Sequence, residues 1–187
     1  MLFLCITLFA KNSFADEYGV NNPNTVGFSI FGNFQLIDTL PNLDPGIGGG
    51  MYWDYRFNDR FSFQLEAFAI TQDGNDLSSG EDHIEFFGFP VSMFKLYVLE
   101  KKYRFDPYIG TGVGLYWLTE GDIENDTGGM GLGAQIETGC DFNIDENLVA
   151  SIGGTYRSVG LINSLDGTPI ASTYMTYTLF GRIGYSF

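Results

Sequence analysis

Between residues 173 and 187 apolar and polar side chains alternate. Met175, Tyr177, Leu179, Ile183, Tyr185 and Phe187 occupy one set of positions, and Thr176, Thr178, Arg182, Gly184 and Ser186 the other. A period of two puts the sets on opposite faces of a strand. The pattern recurs along the chain, predicting further strands over 25–37, 46–57, 60–71, 83–98, 107–119, 129–143 and 148–160. Val26, Phe28, Ile30, Phe34 and Leu36 form the apolar face of the first. In the second, Ile47, Met51, Trp53, Tyr55 and Phe57 alternate with Gly48, Gly50, Tyr52, Asp54 and Arg56. The third sets Phe61, Phe63, Leu65 and Ala67 against Ser62, Gln64 and Glu66. Ile109, Val113, Leu115 and Trp117 alternate with Gly110, Gly112, Gly114 and Tyr116 in the fifth. The sixth sets Met130, Leu132, Ala134, Ile136 and Phe142 against Gly131, Gly133, Gln135, Glu137 and Asp141. The fourth is less regular. Pro90 cannot donate to a ladder, so a bulge is expected there.

A half-apolar strand at the end of a chain is an open edge, which soluble proteins avoid. Pairing the last strand with the first removes the edge, and a lipid environment requires that closure. The expected fold is all-β: an eight-stranded antiparallel transmembrane up-and-down β-barrel. Connections after the second, fourth and sixth strands are mostly short, and the others are longer and more polar. Short periplasmic turns and longer external loops show this asymmetry, which puts both chain ends in the periplasm.

Composition agrees. Of 187 residues 44% are hydrophobic, 17% are aromatic and 25 are glycine, as a crowded interior and aromatic girdles require. The apolar run of residues 1–10 is too short to span a bilayer as a helix. Ser13-Phe14-Ala15 follows it with small residues where a signal peptidase reads. Residues 1–15 are therefore expected to be a signal peptide and 16–187 the barrel domain. Leu4 is too bulky for a lipobox before Cys5. Cys140 would be the single cysteine of the mature chain, which leaves no intramolecular disulfide. The formal charge of −14 argues against a nucleic-acid partner, since phosphate binding needs a basic surface.

The inward face collects charges: Asp54, Glu66, Glu85, Glu137 and Asp141 against Arg56, Lys95, Arg157 and Arg182. Charges withdrawn from lipid must be paired or wetted, so an interior salt-bridge network is expected. The sharper reading is an ion path or a gate of switching ion pairs. The Gly110-x-Gly112-x-Gly114 run lacks a following helix and is no phosphate cradle. His83, the one histidine, lies near Ser78, Ser79, Glu81, Asp82 and Glu85. A triad can be drawn from these, but polar loops carry such residues anyway. The acidic stretches Asp73–Asp76 and Glu120–Asp126 lack EF-hand spacing. No catalytic residue, cofactor or metal site is expected.

Pro90-Val-Ser-Met-Phe-Lys95, running on to Pro107-Tyr-Ile-Gly-Thr-Gly-Val-Gly114, resembles the OmpA/OmpX-type family of small eight-stranded outer-membrane barrels. The resemblance covers residues 24–187. Tyr185 and the terminal Phe187 resemble the signal read by the barrel-assembly machinery, with Gly181 one place off that signal's usual glycine. The resemblance implies a monomer in the cell outer membrane. It also implies outer-membrane lipid, lipopolysaccharide, the assembly machinery and periplasmic chaperones as partners. The family's roles span structural proteins, adhesins, small pores and a few lipid A-modifying enzymes. The deacylases' His-x-Ser-Asn pattern is missing, because Arg157-Ser158 has no histidine beside it, and His83 matches the palmitoyltransferases only loosely. The implied function is a non-enzymatic role in envelope integrity or surface interaction. A narrow channel for ions or small hydrophobic solutes is the alternative, with Pro90 a candidate site for a lateral opening, and a lipid A-modifying enzyme comes third.

Overall fold

The computed structural model describes residues 22–36, 44–73, 83–99, 104–120, 127–163 and 169–187. They form eight strands: β1 (Asn24–Gln35), β2 (Gly46–Arg56), β3 (Phe61–Asp73), β4 (His83–Tyr97), β5 (Phe105–Glu120), β6 (Thr127–Asn143), β7 (Leu148–Asn163) and β8 (Pro169–Ser186). Each pairs antiparallel with the next, and β8 pairs with β1 to close the barrel. Backbone bonds between Asn24 and Phe187, at 3.2 and 2.8 Å, finish the seam. Both ends of the barrel wall are thus at one rim, here the near rim; the opposite one is the far rim. The segment expected as a signal peptide lies outside the described residues.

Alternation decides what faces where. Outward residues stay exposed, with Ile47 at 77% and Leu132 at 71%. Side chains that exposed and that apolar call for lipid rather than water around the wall. Trp53 and Tyr55 share the outward parity of β2 yet are buried. They stack at 6.2 Å between ring centroids, and the Trp53 indole N–H donates to Asn24 Oδ1 at 3.2 Å.

Two features depart from the sequence reading. The strands run further toward the far rim than expected: β5 reaches Glu120, β6 begins at Thr127 and β8 at Pro169. The long acidic and polar stretches there are partly ladder, because backbone pairing with a neighbour outweighs weak side-chain propensity. The second departure is the face of Glu85, expected inward with Lys95, and it follows from the break at Pro90. Glu66 pairs with Val91 and Phe68 with Gly88, so Phe89 and Pro90 together oppose Ala67. On the other side they oppose Leu115. This is the bulge expected there, and its extra residue inverts the parity of β4. Val91, Met93, Lys95 and Tyr97 face inward after it, whereas Ile84, Phe86 and Gly88 do so before it.

Inward glycines make room for large rings. A side chain on Gly153 would strike Phe180, and one on Gly139 would strike the Tyr108 hydroxyl. The tightest case is at the seam, where Gly27 pairs with Gly184 and the Tyr52 ring lies against both.

Candidate functional site

The lumen is filled, in three tiers. Next to the near rim, β2, β4, β5 and β6 bring charged side chains together. Arg56 Nη2 meets Asp106 Oδ2 at 2.7 Å and also donates to the Asp59 carbonyl at 2.5 Å. Its guanidinium lies 3.8 Å from the Tyr97 ring centroid. Lys95 Nζ meets Asp54 Oδ2 at 2.9 Å, an oxygen that also accepts from Ser62 Oγ at 3.1 Å. Asp141 accepts from the Tyr97 hydroxyl at 2.8 Å.

The middle tier centres on Arg182. Its Nη1 meets Glu137 Oε1 at 2.6 Å, and its Nη2 meets Glu66 Oε1 at 3.0 Å and Glu137 Oε2 at 3.0 Å. The Glu137 contact is a fork on a carboxylate, the stronger arrangement of such pairs. Glu137 also accepts from Tyr108 at 2.7 Å and from Thr155 at 2.9 Å. Arg182 stacks 3.9 Å from the Phe180 centroid, and its side chain is 1% exposed. A guanidinium between two carboxylates, with nearly every proton and lone pair met, is what a buried charge needs.

The far tier is aromatic. Phe86 stacks on Tyr116 at 5.6 Å and meets Tyr174 edge-on at 5.1 Å. Phe68 is 5.7 Å from Phe86 and 5.6 Å from Phe31. Ile70, Ile84, Leu118, Val159 and Leu161 fill the remaining space. Arg157 sits in this layer with no carboxylate partner among the described residues. It donates to Gln135 Oε1 at 3.0 Å and Thr178 Oγ1 at 3.3 Å, and lies 4.5 Å from the Phe68 centroid. The ring faces supply the negative potential that an anion would otherwise give. From Thr178 a chain of side-chain bonds runs through Asn33 and Gln72 to the Asp44 carbonyl at the far rim.

Of the charges read as inward, the structure brings Asp54, Arg56, Glu66, Lys95, Glu137, Asp141, Arg157 and Arg182 into the lumen. Glu85 is the correction. It pairs with Thr71 and Thr119 on the outer face, because the Phe89–Pro90 bulge separates its parity from that of Lys95. Asp106, fully buried, escapes the sequence reading because β5 begins at Phe105, two residues before the expected start at 107, although it shares the parity of Gly110 and Gly112. Asp106→Ala is expected to cost about 1.5–3 kcal/mol, the worth of a bond to a charged group. Glu85→Gln, on the outer face and outside the lumen network, should cost less than Asp106→Ala. Urea titrations in lipid vesicles would compare the two.

Tyr185 and Phe187 are the outward aromatic residues at the end of β8, with Tyr185 exposed. Ser78, Ser79, Glu81, Asp82, Asp76 and Glu124 lie outside the described residues, as does the side chain of His83. Among the described residues no group of three or more His, Cys, Asp or Glu side chains could hold a metal ion.

No family model matches the sequence, and no curated protein matches it. Solved structures match by shape. Neisserial surface protein A does so with a TM-score of 0.64 over 88% of this chain and 97% of that one, at 14% identity. The chain has the fold of a small outer-membrane barrel. AlkL, determined in DMPC bilayers, is similar at a TM-score of 0.55 and 14% identity, over 88% of this chain and 89% of its own. OprG from Pseudomonas aeruginosa follows at 0.53 and 16%, over 88% and 95%. At such identities the likeness carries architecture and not activity.

Proposed function

We propose that the protein is a non-enzymatic integral outer-membrane barrel, near rim toward the periplasm, that supports envelope integrity or surface contact through its far-rim connections. The filled lumen carries this reading. A barrel of eight strands has room for its own side chains and little else, and here the Phe68–Phe86–Tyr116 layer occupies the bore. What distinguishes such a barrel chemically is then its two ends and its outer wall. Outer-membrane lipid and lipopolysaccharide would contact the wall, and the strand ending in Tyr185 and Phe187 would be presented to the assembly machinery.

A deletion strain complemented with forms shortened at 74–82 and 121–126 tests this. The shortened forms should still migrate faster unboiled than boiled in detergent gels, which reports a folded barrel, yet fail to restore detergent resistance or surface attachment. Full complementation by shortened forms would contradict the proposal.

One observation favours a second reading, passage of small hydrophobic solutes through the wall. At the bulge, Phe89 and Pro90 are both exposed on the outer face, where the ladder between β3 and β4 shifts register. Solute uptake lost in a variant that restores a continuous ladder, with Phe89 deleted and Pro90→Val, would support that route.

A further inference from the structure

Several buried polar atoms have no partner among the described residues, and most of them cluster. Gln64 is completely buried and inward, cross-strand from Asp54 and Met93, yet neither its amide nitrogen nor its amide oxygen is bonded. Glu66 Oε2, Asp106 Oδ1 and Asp141 Oδ1 are also secluded and unpartnered. All four residues lie in the near or middle tier. In the far half the buried amides behave differently. Asn33 and Gln72 bond each other at 2.7 Å, and Gln72 also accepts from Tyr174 and donates to Asp44. Thr176 Oγ1 is the far-half exception on the inward face.

An unmet buried polar group costs roughly 1–3 kcal/mol, so several together would consume much of a barrel's stability. Bound water is the usual partner of such groups when there is space for it. The space exists. A cavity of about 30 Å³ opens among Tyr52, Asp54, Arg56, Lys95, Tyr97 and Asp141 and reaches Asn143 and Ser186 at the near rim. A single water needs roughly 10–15 Å³ on that measure, so the cavity holds more than one.

We propose that the near half of the lumen is a hydrated blind vestibule. Water continuous with the near-rim solvent, the periplasm in the orientation proposed above, satisfies Gln64, Asp106 and Asp141 and reaches Glu66 beside Arg182. It ends beneath the Phe68–Phe86–Tyr116 layer, which keeps the far half dry. The barrel is therefore sealed by its aromatic tier: the near-tier ion pairs are wet, while the Arg182–Glu137 pair stays buried.

Water-edited solid-state NMR of the full barrel in lipid bilayers tests this. Magnetisation should pass from water to the Gln64 side-chain amide several-fold faster than to those of Asn33 and Gln72. A Gln64 build-up no faster than that of Gln72 would overturn the vestibule. Gln64→Leu gives a second readout. If water satisfies the amide, the substitution removes favourable bonds and lowers the urea midpoint. A raised midpoint would mean the amide had been dry and unpaired, and would also overturn the proposal.

Discussion

Replacing Arg182 with methionine is expected to destabilise the barrel by about 3–5 kcal/mol, the cost of leaving buried charges without their partner. Two carboxylates are stranded, Glu66 and Glu137, both nearly inaccessible. Methionine keeps most of the volume, so the loss reports electrostatics and hydrogen bonding more than packing. Adding Glu137→Gln should recover part of it, because the neutral amide can accept from Tyr108 through its oxygen and donate to Thr155 Oγ1 through its nitrogen and carries no unpaired charge. Urea-induced unfolding in vesicles, followed by tryptophan fluorescence, measures both variants. A loss below about 1 kcal/mol, the level of an exposed ion pair, would mean that Arg182 is not sequestered as described.

Gly27→Val should prevent closure altogether. A Cβ at Gly27 would run into the Ile183 carbonyl, the Gly184 Cα and the Tyr52 ring. Two of these obstacles are backbone, and backbone in a closed ladder cannot step aside as the end of a flexible side chain can. Overpacking typically costs about 1–3 kcal/mol, but here it falls on the seam that joins β1 to β8 and so bears on the whole barrel. The variant should migrate identically with and without boiling, while Gly32→Val, whose Cβ meets nothing closer than Phe34 at 3.9 Å, should remain heat-modifiable. Normal migration of Gly27→Val would show that the seam has slack.

Much of this was legible in the chain. Period two is a strong signal, and where it is unbroken, as from Met175 to Phe187 or Ile109 to Trp117, both the strand and the orientation of its side chains could be read. The inward placement of Arg182, Glu137 and Asp141 follows from parity alone. Parity fails where one residue is inserted. Pro90 flagged the bulge, but the consequence for Glu85, five residues upstream, needs the pairing partners on both neighbouring strands. Strand ends are the other weak point. Asp106 sits beside a turn signal, and only its pairing with Asp141 shows it to be part of the ladder. The division of the lumen into a wet ionic half and an aromatic half was not legible. It depends on which inward residues reach across the bore, and Phe68, Phe86, Tyr116 and Tyr174 come from four strands that no local pattern aligns.

Single-channel recording of the refolded barrel in a planar bilayer, beside a Phe86→Ala/Tyr116→Ala variant, bears most directly on the sealed lumen. The natural chain should be silent, and the variant, with the stacked pair gone and the water column below free to continue, should show discrete openings. Conductance steps in the natural chain that vanish or change in Arg182→Ala or Glu137→Ala would contradict a barrel closed by its aromatic tier, and would make the ion pairs the lining of a working pathway.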